Sequence, residues 1–337
     1  MATTGYRAGQ PRSALTRRVV LALVSQEPAR FEPLLDSFTL ADRWQRERVR
    51  TVLHSFLRGY HAAARAREFD DIHADLAGLD RYYRPFGYEG AAMGFGPWAY
   101  LRRRSYRDFE EVMAAVSPHI VYQNYVGLGW WLAIRNRIRP SRTERIVEGL
   151  DPHYRLLPYE GWGFRAGFLN TGRPAVTRAF HRFGEDAMHV CHQGYGRSLW
   201  FVCMGDLGRA RTLVESLPPG VRGDCYSGIG LGFAYSWLDR AGRVAGVLAQ
   251  IPPTYRSDFL QGAAFGWEAR QLADRPMFDE LVGPLDPALR GQIEDSLTAV
   301  ADARRELDAR GEHRRFYQAW REETRARLPA RIGDPPR

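Results

Sequence analysis

The feature that most constrains this chain is a glycine that returns at a nearly fixed step. Gly90, Gly127, Gly161, Gly194, Gly228 and Gly262 are separated by 37, 34, 33, 34 and 34 residues. Their surroundings are alike: Tyr88-Glu89-Gly90, Tyr125-Val126-Gly127, Tyr159-Glu160-Gly161, His192-Gln193-Gly194, Tyr226-Ser227-Gly228 and Leu260-Gln261-Gly262. In four of the six a second glycine follows two residues later, at Gly129, Gly163, Gly196 and Gly230. A period in this range marks a repeat architecture, in which one unit cannot bury its apolar face alone and stacks on its neighbours.

Each unit has one internal grammar. Pro118, Pro152, Pro218 and Pro252 lie nine or ten residues before an anchor glycine, and Pro287 keeps the same distance from Ser296. Proline suits a first helical turn because its missing N–H would be unpaired there. Ser117, Asp151 and Asp286 precede their prolines as expected N-caps. The grammar predicts a helix of about 18–20 residues from each proline, with the glycine near its middle. A break and a shorter helix follow, as at 243–250 and 276–282. Glycine inside a helix costs roughly 0.5–1 kcal/mol relative to alanine, and close helix packing is sufficient reason to keep it.

The expected fold is all-α: an α-solenoid of about six 33–37-residue helix hairpins, curved around a central groove. The period is tetratricopeptide-like, although the leucine before the glycine and the alanine of the second helix are missing. The expected division is a polar tail over 1–12 and N-terminal helices over 13–84, with a worn first repeat at Gly59. The helical repeats run over 85–310, and a capping helix with a basic tail over 311–337. Amphipathic helices are expected at 13–26 and 39–57.

The formal net charge is +9, and arginine alone carries the positive side, since the chain has no lysine. Residues 1–26 contribute four arginines and no acid; residues 304–337 contribute ten arginines and six acids. This end-loading argues against a nucleic-acid groove, which needs basic residues along the folded surface. Residues 112–134 carry no charge, but Ser117-Pro118-His119 and Gln123-Asn124 make a membrane span unfavourable, and a buried helix is expected. Cys191, Cys203 and Cys225 match no disulfide or zinc spacing and suit buried thiols in a reducing cytoplasm. Six apolar residues after Arg17-Arg18 are too few for a secretory signal. No phosphate-loop, dinucleotide, zinc-protease or nucleophile-elbow motif occurs, so no cofactor is assigned and no metal ligands are expected.

Aligned repeats turn positions into columns. Two residues before the glycine the column reads Tyr88, Tyr125, Tyr159, His192, Tyr226, Leu260: inter-repeat packing, or the wall of a groove for a flat ligand. One residue before it reads Glu89, Val126, Glu160, Gln193, Ser227, Gln261. Four residues further on, the same helical face carries Met93, Trp130, Phe164, Arg197, Leu231 and Phe265. Polar groups in apolar helices need partners, and pairs Glu160–Arg165 and Gln193–Arg197 would supply them. If the columns line a cavity, Glu89, Glu160, His192 and Arg197 are the catalytic candidates. Tyr88, Tyr125, Tyr159, Arg165, Gln193, Tyr226 and Gln261 are then the substrate-binding candidates. Asp70, Asp71 and Asp75 form a DDxxxD pattern, a variant of the acidic motif that holds magnesium diphosphate in terpene cyclases, but no second metal motif accompanies it.

Five blocks in order, Phe86-Gly87-Tyr88-Glu89-Gly90, Glu160-Gly161-Trp162-Gly163-Phe164, Gly194-Tyr195-Gly196-Arg197, Tyr226-Ser227-Gly228-Ile229-Gly230 and Gln261-Gly262-Ala263-Ala264-Phe265, resemble a bacterial family of unknown function. That family occurs in enediyne polyketide core cassettes and related natural-product clusters. The resemblance implies a cytoplasmic protein of secondary metabolism acting on or near a polyene or other hydrophobic intermediate. It transfers no catalytic residue. The alternatives are a non-catalytic scaffold for partner biosynthetic enzymes and a magnesium-dependent terpene cyclase using the aspartates.

Overall fold

The computed structural model describes residues 13–38, 42–137, 139–203 and 205–328. Among them all regular secondary structure is helical. After α1 (Ala14–Val24) and α2 (Glu32–Asp36), long helices alternate with short ones. The long helices are α3 (Arg43–Arg65), α5 (Arg84–Leu101), α7 (Val121–Arg135), α9 (Leu157–Asn170), α11 (Glu185–Val202), α13 (Pro219–Ser236), α15 (Arg256–Ala273) and α17 (Pro287–Arg310). The short ones are α4 (Phe69–Ala77), α6 (Phe109–Val116), α8 (Pro140–Val147), α10 (Pro174–Arg178), α12 (Leu207–Glu215), α14 (Val244–Ala249), α16 (Arg275–Val282) and α18 (Phe316–Arg327).

Each long helix packs along the next, from α3 on α5 through α13 on α15. α5, α7, α9, α11, α13 and α15 are buried nearly all round, so they form an inner layer without a polar face. Short helices such as α8 and α16 bury only a few residues and give the outer layer its solvent-facing side.

The glycines are where the inner helices touch. A Cβ on Gly161 would lie 1.9 Å from the Val126 carbonyl oxygen, one on Gly194 1.9 Å from that of Glu160, and one on Gly228 1.9 Å from that of Gln193. In each case the carbonyl belongs to the residue just before the preceding anchor glycine. The second glycine faces the following helix: Gly129 meets the Pro158 carbonyl, Gly163 that of Cys191, Gly196 that of Cys225 and Gly230 that of Phe259. Each of those residues lies three before the next anchor. Gly59 joins the scheme, since its Cβ would fall 1.7 Å from the Gly87 oxygen. The worn first repeat thus packs as tightly as the others. Backbones this close leave Cα–H groups against carbonyl oxygens, a weak attraction that adds to dispersion.

The succession brings its beginning back to its end. Arg48 of α3 donates to Asp239 at 2.5 Å, and the Tyr82 hydroxyl donates to the Ser236 carbonyl at 2.9 Å. Arg270 of α15 donates to the Tyr82 carbonyl at 2.8 Å, and Trp44 packs edge-on to Trp237. Arg81 makes a two-pronged ion pair with Asp274. α18 covers α15 and α17, near the predicted position of the capping helix.

Several boundaries differ from the sequence expectation. Pro118, Pro152 and Pro252 each open a turn, and the helices begin three to five residues later at Val121, Leu157 and Arg256. Ser117 is not an N-cap: its hydroxyl donates to Asn124 Oδ1 at 2.8 Å. Asp151 accepts from the His153 N–H within a turn. Asp286 is a cap, accepting from Ala288 and Leu289. The uncharged stretch 112–134 is broken by the turn at 117–120 into α6 and α7. No helix among the described residues is long and apolar enough to cross a membrane. The tails over 1–12 and 329–337, and the start of the helix expected at 39–57, lie outside the described residues. All three cysteines are buried and free.

The contact geometry separates two kinds of helical glycine. Gly228→Ala should cost about 3 kcal/mol or more, because a backbone carbonyl blocks the new methyl. Gly246→Ala, with nothing within 4 Å of the added atom, should gain about 0.5–1 kcal/mol. Urea unfolding of both variants measures the contrast; equal effects would show that the close approach does not hold in solution.

Candidate functional site

The column one residue before each glycine points inward. The Gln193 amide donates to the Ser227 hydroxyl at 3.1 Å, and Ser227 donates to the Gln261 carbonyl oxygen at 2.7 Å. These are equivalent positions one repeat apart. The Tyr317 hydroxyl of α18 extends the chain by donating to the Gln193 oxygen at 3.0 Å. The column three residues after the glycine points the same way, and there Arg197 is the one charged member among aromatic and aliphatic side chains.

Arg197 gathers the two glutamates. Its Nη2 donates to Glu89 Oε1 at 3.0 Å, and its Nε stands 2.8 Å from Glu160 Oε1. The second contact is short enough for an ion pair but misaligned for a hydrogen bond, so both Glu160 oxygens and that Nε lack one. All three residues are at least 96 % buried, from helices α5, α9 and α11. The guanidinium also lies 4.4 Å from the Phe164 ring centroid, within cation–π range.

Arg197 forms part of the wall of two small cavities. One, of about 40 Å³, is lined by Phe56, Phe86, Trp130, Phe164 and Phe168 beside Glu89. The other, of about 30 Å³, is lined by Leu157, Leu231, Phe265, Tyr317 and Trp320 beside Glu160. Each has room for a water or two.

This setting fixes the electrostatics. Burial pushes the Glu160 carboxyl up to about 7, with Arg197 opposing the rise and Glu89 adding to it. Burial raises Glu89 as well, again against Arg197. Burial disfavours the Arg197 charge, but the two carboxylates outweigh it and hold its pKa above the ordinary value. Two carboxylates and one guanidinium carry a net negative charge in an apolar interior, and a proton on Glu160 neutralises it.

Other expected residues lie elsewhere. A step of one residue turns a side chain about 100° around a helix, so the column two before the glycine faces the outer layer. Tyr88 lies 3.1 Å from His73 Nδ1, Tyr125 donates to Glu110 at 2.5 Å, and Tyr159 packs edge-on to Phe183. Tyr226 stacks on Tyr255, its hydroxyl buried without a partner. His192 sits edge-on to Phe180, with Nδ1 2.9 Å from the Met188 carbonyl, and burial lowers its pKa. None of these five lines either cavity, which removes them from the grouped site.

Arg165 lies five residues from Glu160, about 140° around α9, and does not pair with it. Burial and then Arg137 bring its pKa down to about 10. Gln193 likewise bonds Ser227 and Tyr317 rather than Arg197. Asp70, Asp71 and Asp75 are exposed on α4, where Asp71 accepts the Arg67 and Glu68 backbone N–H groups. Among the described residues no group of three or more His, Cys, Asp or Glu could hold a metal ion. Sequence reasoning missed Tyr317 and Trp320, whose place depends on the docking of α18. It also missed buried Asp224, which joins His189 at 2.6 Å to Arg321 of α18 at 2.8 Å.

The raised Glu160 pKa has a definite sign. The folded value of about 7 exceeds the ordinary 4.5, so the unfolded chain releases this proton first. The contribution to stability is full below about pH 4.5 and is lost as pH rises through 7. Glu160→Gln should therefore lose less stability than the wild type between pH 5 and 7.5 by urea unfolding. Parallel pH profiles would exclude a protonated Glu160.

Residues 13–328 match the model of a domain family described as a protein of unknown function, DUF1702. No curated protein and no solved structure matches the chain. With nearly the whole described chain covered by that match, this protein belongs to the DUF1702 family.

Proposed function

We propose that the chain binds a hydrophobic, polyene-like intermediate of secondary metabolism in its aromatic interior and transforms it by proton transfer at Glu160. The observation that carries this reading is the Glu160 carboxyl: buried, raised to about 7, with neither oxygen hydrogen-bonded, beside a cavity lined by Phe265 and Trp320. A carboxylic acid poised near neutrality can give or take a proton, and an apolar aromatic wall suits a conjugated chain. Arg197 holds the carboxylate form and Glu89 balances Arg197. His192 has no part in the chemistry. The resemblance to natural-product cassettes supports the substrate class, and a cytoplasmic location is part of the same proposal. The inner and outer layers are read here as a tetratricopeptide-like solenoid closed on itself. The interior must open to admit a ligand, because the two cavities, of about 40 and 30 Å³, have room only for a water or two.

The filled interior favours a second reading, a helical-repeat scaffold for partner biosynthetic enzymes with no chemistry of its own. A conjugated tetraene fatty acid separates the two. Saturable energy transfer from the interior tryptophans to the probe is expected under the first reading, and its absence would support the scaffold. In a producing strain, Glu160→Gln should lower product at least 100-fold while His192→Ala leaves it within about threefold. Undiminished product from a folded Glu160→Gln protein would remove the catalytic assignment.

A further inference from the structure

The first helix of the fold leaves a line of apolar side chains uncovered. Leu15, Val19 and Leu23 of α1 are 73, 48 and 78 % exposed. A step of four residues sets them along one side of the helix, over about 12 Å. Ala22, also exposed, lies beside them. Three of the five large apolar side chains exposed among the described residues thus sit on this one helix. A lone exposed leucine needs no explanation, but a continuous apolar row marks a contact surface.

The helix is held so that this row faces out. Ser13 caps its start, accepting from the Thr16 N–H at 3.2 Å. At its end the Tyr60 hydroxyl donates to the Val24 carbonyl at 2.6 Å, and the Gln26 N–H donates to His61 Nε2 at 3.2 Å. Arg17 donates to the Arg65 carbonyl at 2.6 Å. Val24 is nine residues from Leu15, half a turn round the helix, and packs on the core. The opposite side of α1 therefore fastens it to the fold, against α3 and α5, and the exposed row has no part in that attachment.

The charge around the row is predominantly positive. Arg18 is exposed at its edge, and the chain has no acid before Glu27. Arg17, Arg65, Arg67 and Arg102 belong to the same neighbourhood: burial lowers the pKa of Arg102, and Arg17 and Arg67 lower it further against the pull of Asp71. Arg65 acts in turn on Glu27. Several of these arginines are bonded to backbone. Arg17 holds the Arg65 carbonyl, and Arg102 holds those of Ala66 and Arg67 at 3.2 and 2.8 Å. A carbonyl orients a guanidinium without cancelling its charge. The sequence ahead of α1 adds Arg7 and Arg12 and no acid.

We propose that α1 docks the protein on an anionic lipid bilayer, with Leu15, Val19 and Leu23 in the boundary between headgroups and acyl chains and Arg18 at the lipid phosphates. Apolar side chains with arginine at their edge are the combination that lays a helix in the plane of a membrane surface. The surrounding arginines add attraction to an acidic leaflet. With 11 residues, α1 lies on the bilayer and is too short to span it. A second copy of the chain fits the row less well, because it would set Arg18 and its neighbours against their own kind, whereas lipid phosphates supply the opposite sign. The surface is separate from the interior, and the proposal stands whether or not Glu160 is catalytic.

The test is co-flotation of the full-length protein with vesicles of phosphatidylcholine containing about one third phosphatidylglycerol, at low salt. The wild type should float with them, and about tenfold less with pure phosphatidylcholine or at high salt. Leu15→Gln with Leu23→Gln should lower partitioning about tenfold. Both positions are exposed, so the double variant should keep its urea midpoint. Arg18→Gln should lower partitioning about fivefold. Leu272→Gln, at an exposed leucine of α15, should leave it within about twofold. A wild type that does not float would overturn the assignment, as would flotation undiminished in the double variant or equally diminished by Leu272→Gln. A dimer that the double substitution dissolves, without flotation of the wild type, would assign the row to a second copy instead.

Discussion

The structure depends on one contact repeated along the chain: a glycine Cα of one inner helix against a backbone carbonyl of the next. Because the contact is between backbones, it fixes the register of neighbouring helices more tightly than side-chain packing could. From Gly127 to Gly262 each anchor glycine meets the carbonyl one residue before the previous anchor, and each second glycine meets the carbonyl three before the next. A helix given both contacts has almost no freedom to slide or rotate. The period near 34 is therefore a geometric requirement: enough chain to run along one inner helix, turn, return through a short outer helix and present the next glycine to the waiting carbonyl.

Fixed register is what made columns of sequence into columns of space. The polar column was legible as a column, though not its direction: Gln193, Ser227 and Gln261 share one position in the repeat and bond in a line. The face bearing Trp130, Phe164, Arg197 and Phe265 was also legible, and it does line the interior. What could not be read was which of two adjacent columns faces in. Both are compatible with an apolar all-round helix, because such a helix has no polar face to orient it. The tyrosine column and His192 turned out to face the outer layer. Helix starts were misjudged for a related reason: proline is accommodated as well in the turn ahead of a helix as in its first turn.

Partner choice lay further from the sequence. Glu160 had an arginine five residues away and takes one 37 residues away; Glu89 takes the same arginine from 108 residues away. Helical geometry rules out the near pair, but only the curvature of the whole stack brings α5 to α11. Tyr317 and Trp320 depend on the cap in the same way.

The triad joins these levels. A buried guanidinium between two carboxylates is costly to desolvate, and hydrophobic residues of similar volume could fill the same space without that cost. Its geometry shows what the charges add. Helices α5 and α11 are not neighbours in the stack, and the Glu89–Arg197 bond ties them across the interior. The tie is strongest when Arg197 is charged and Glu89 ionised, and that combination leaves Glu160 as the group with one charge too many. Its oxygens, close to Arg197 but out of line with it, receive too little compensation to remain ionised at low cost. The raised pKa of Glu160 thus follows from burial that Arg197, shared with Glu89, only partly offsets. Any ligand that enters beside Trp320 and Phe265 and draws Arg197 toward itself would alter both the closure and the proton affinity of Glu160, because one side chain sets them both.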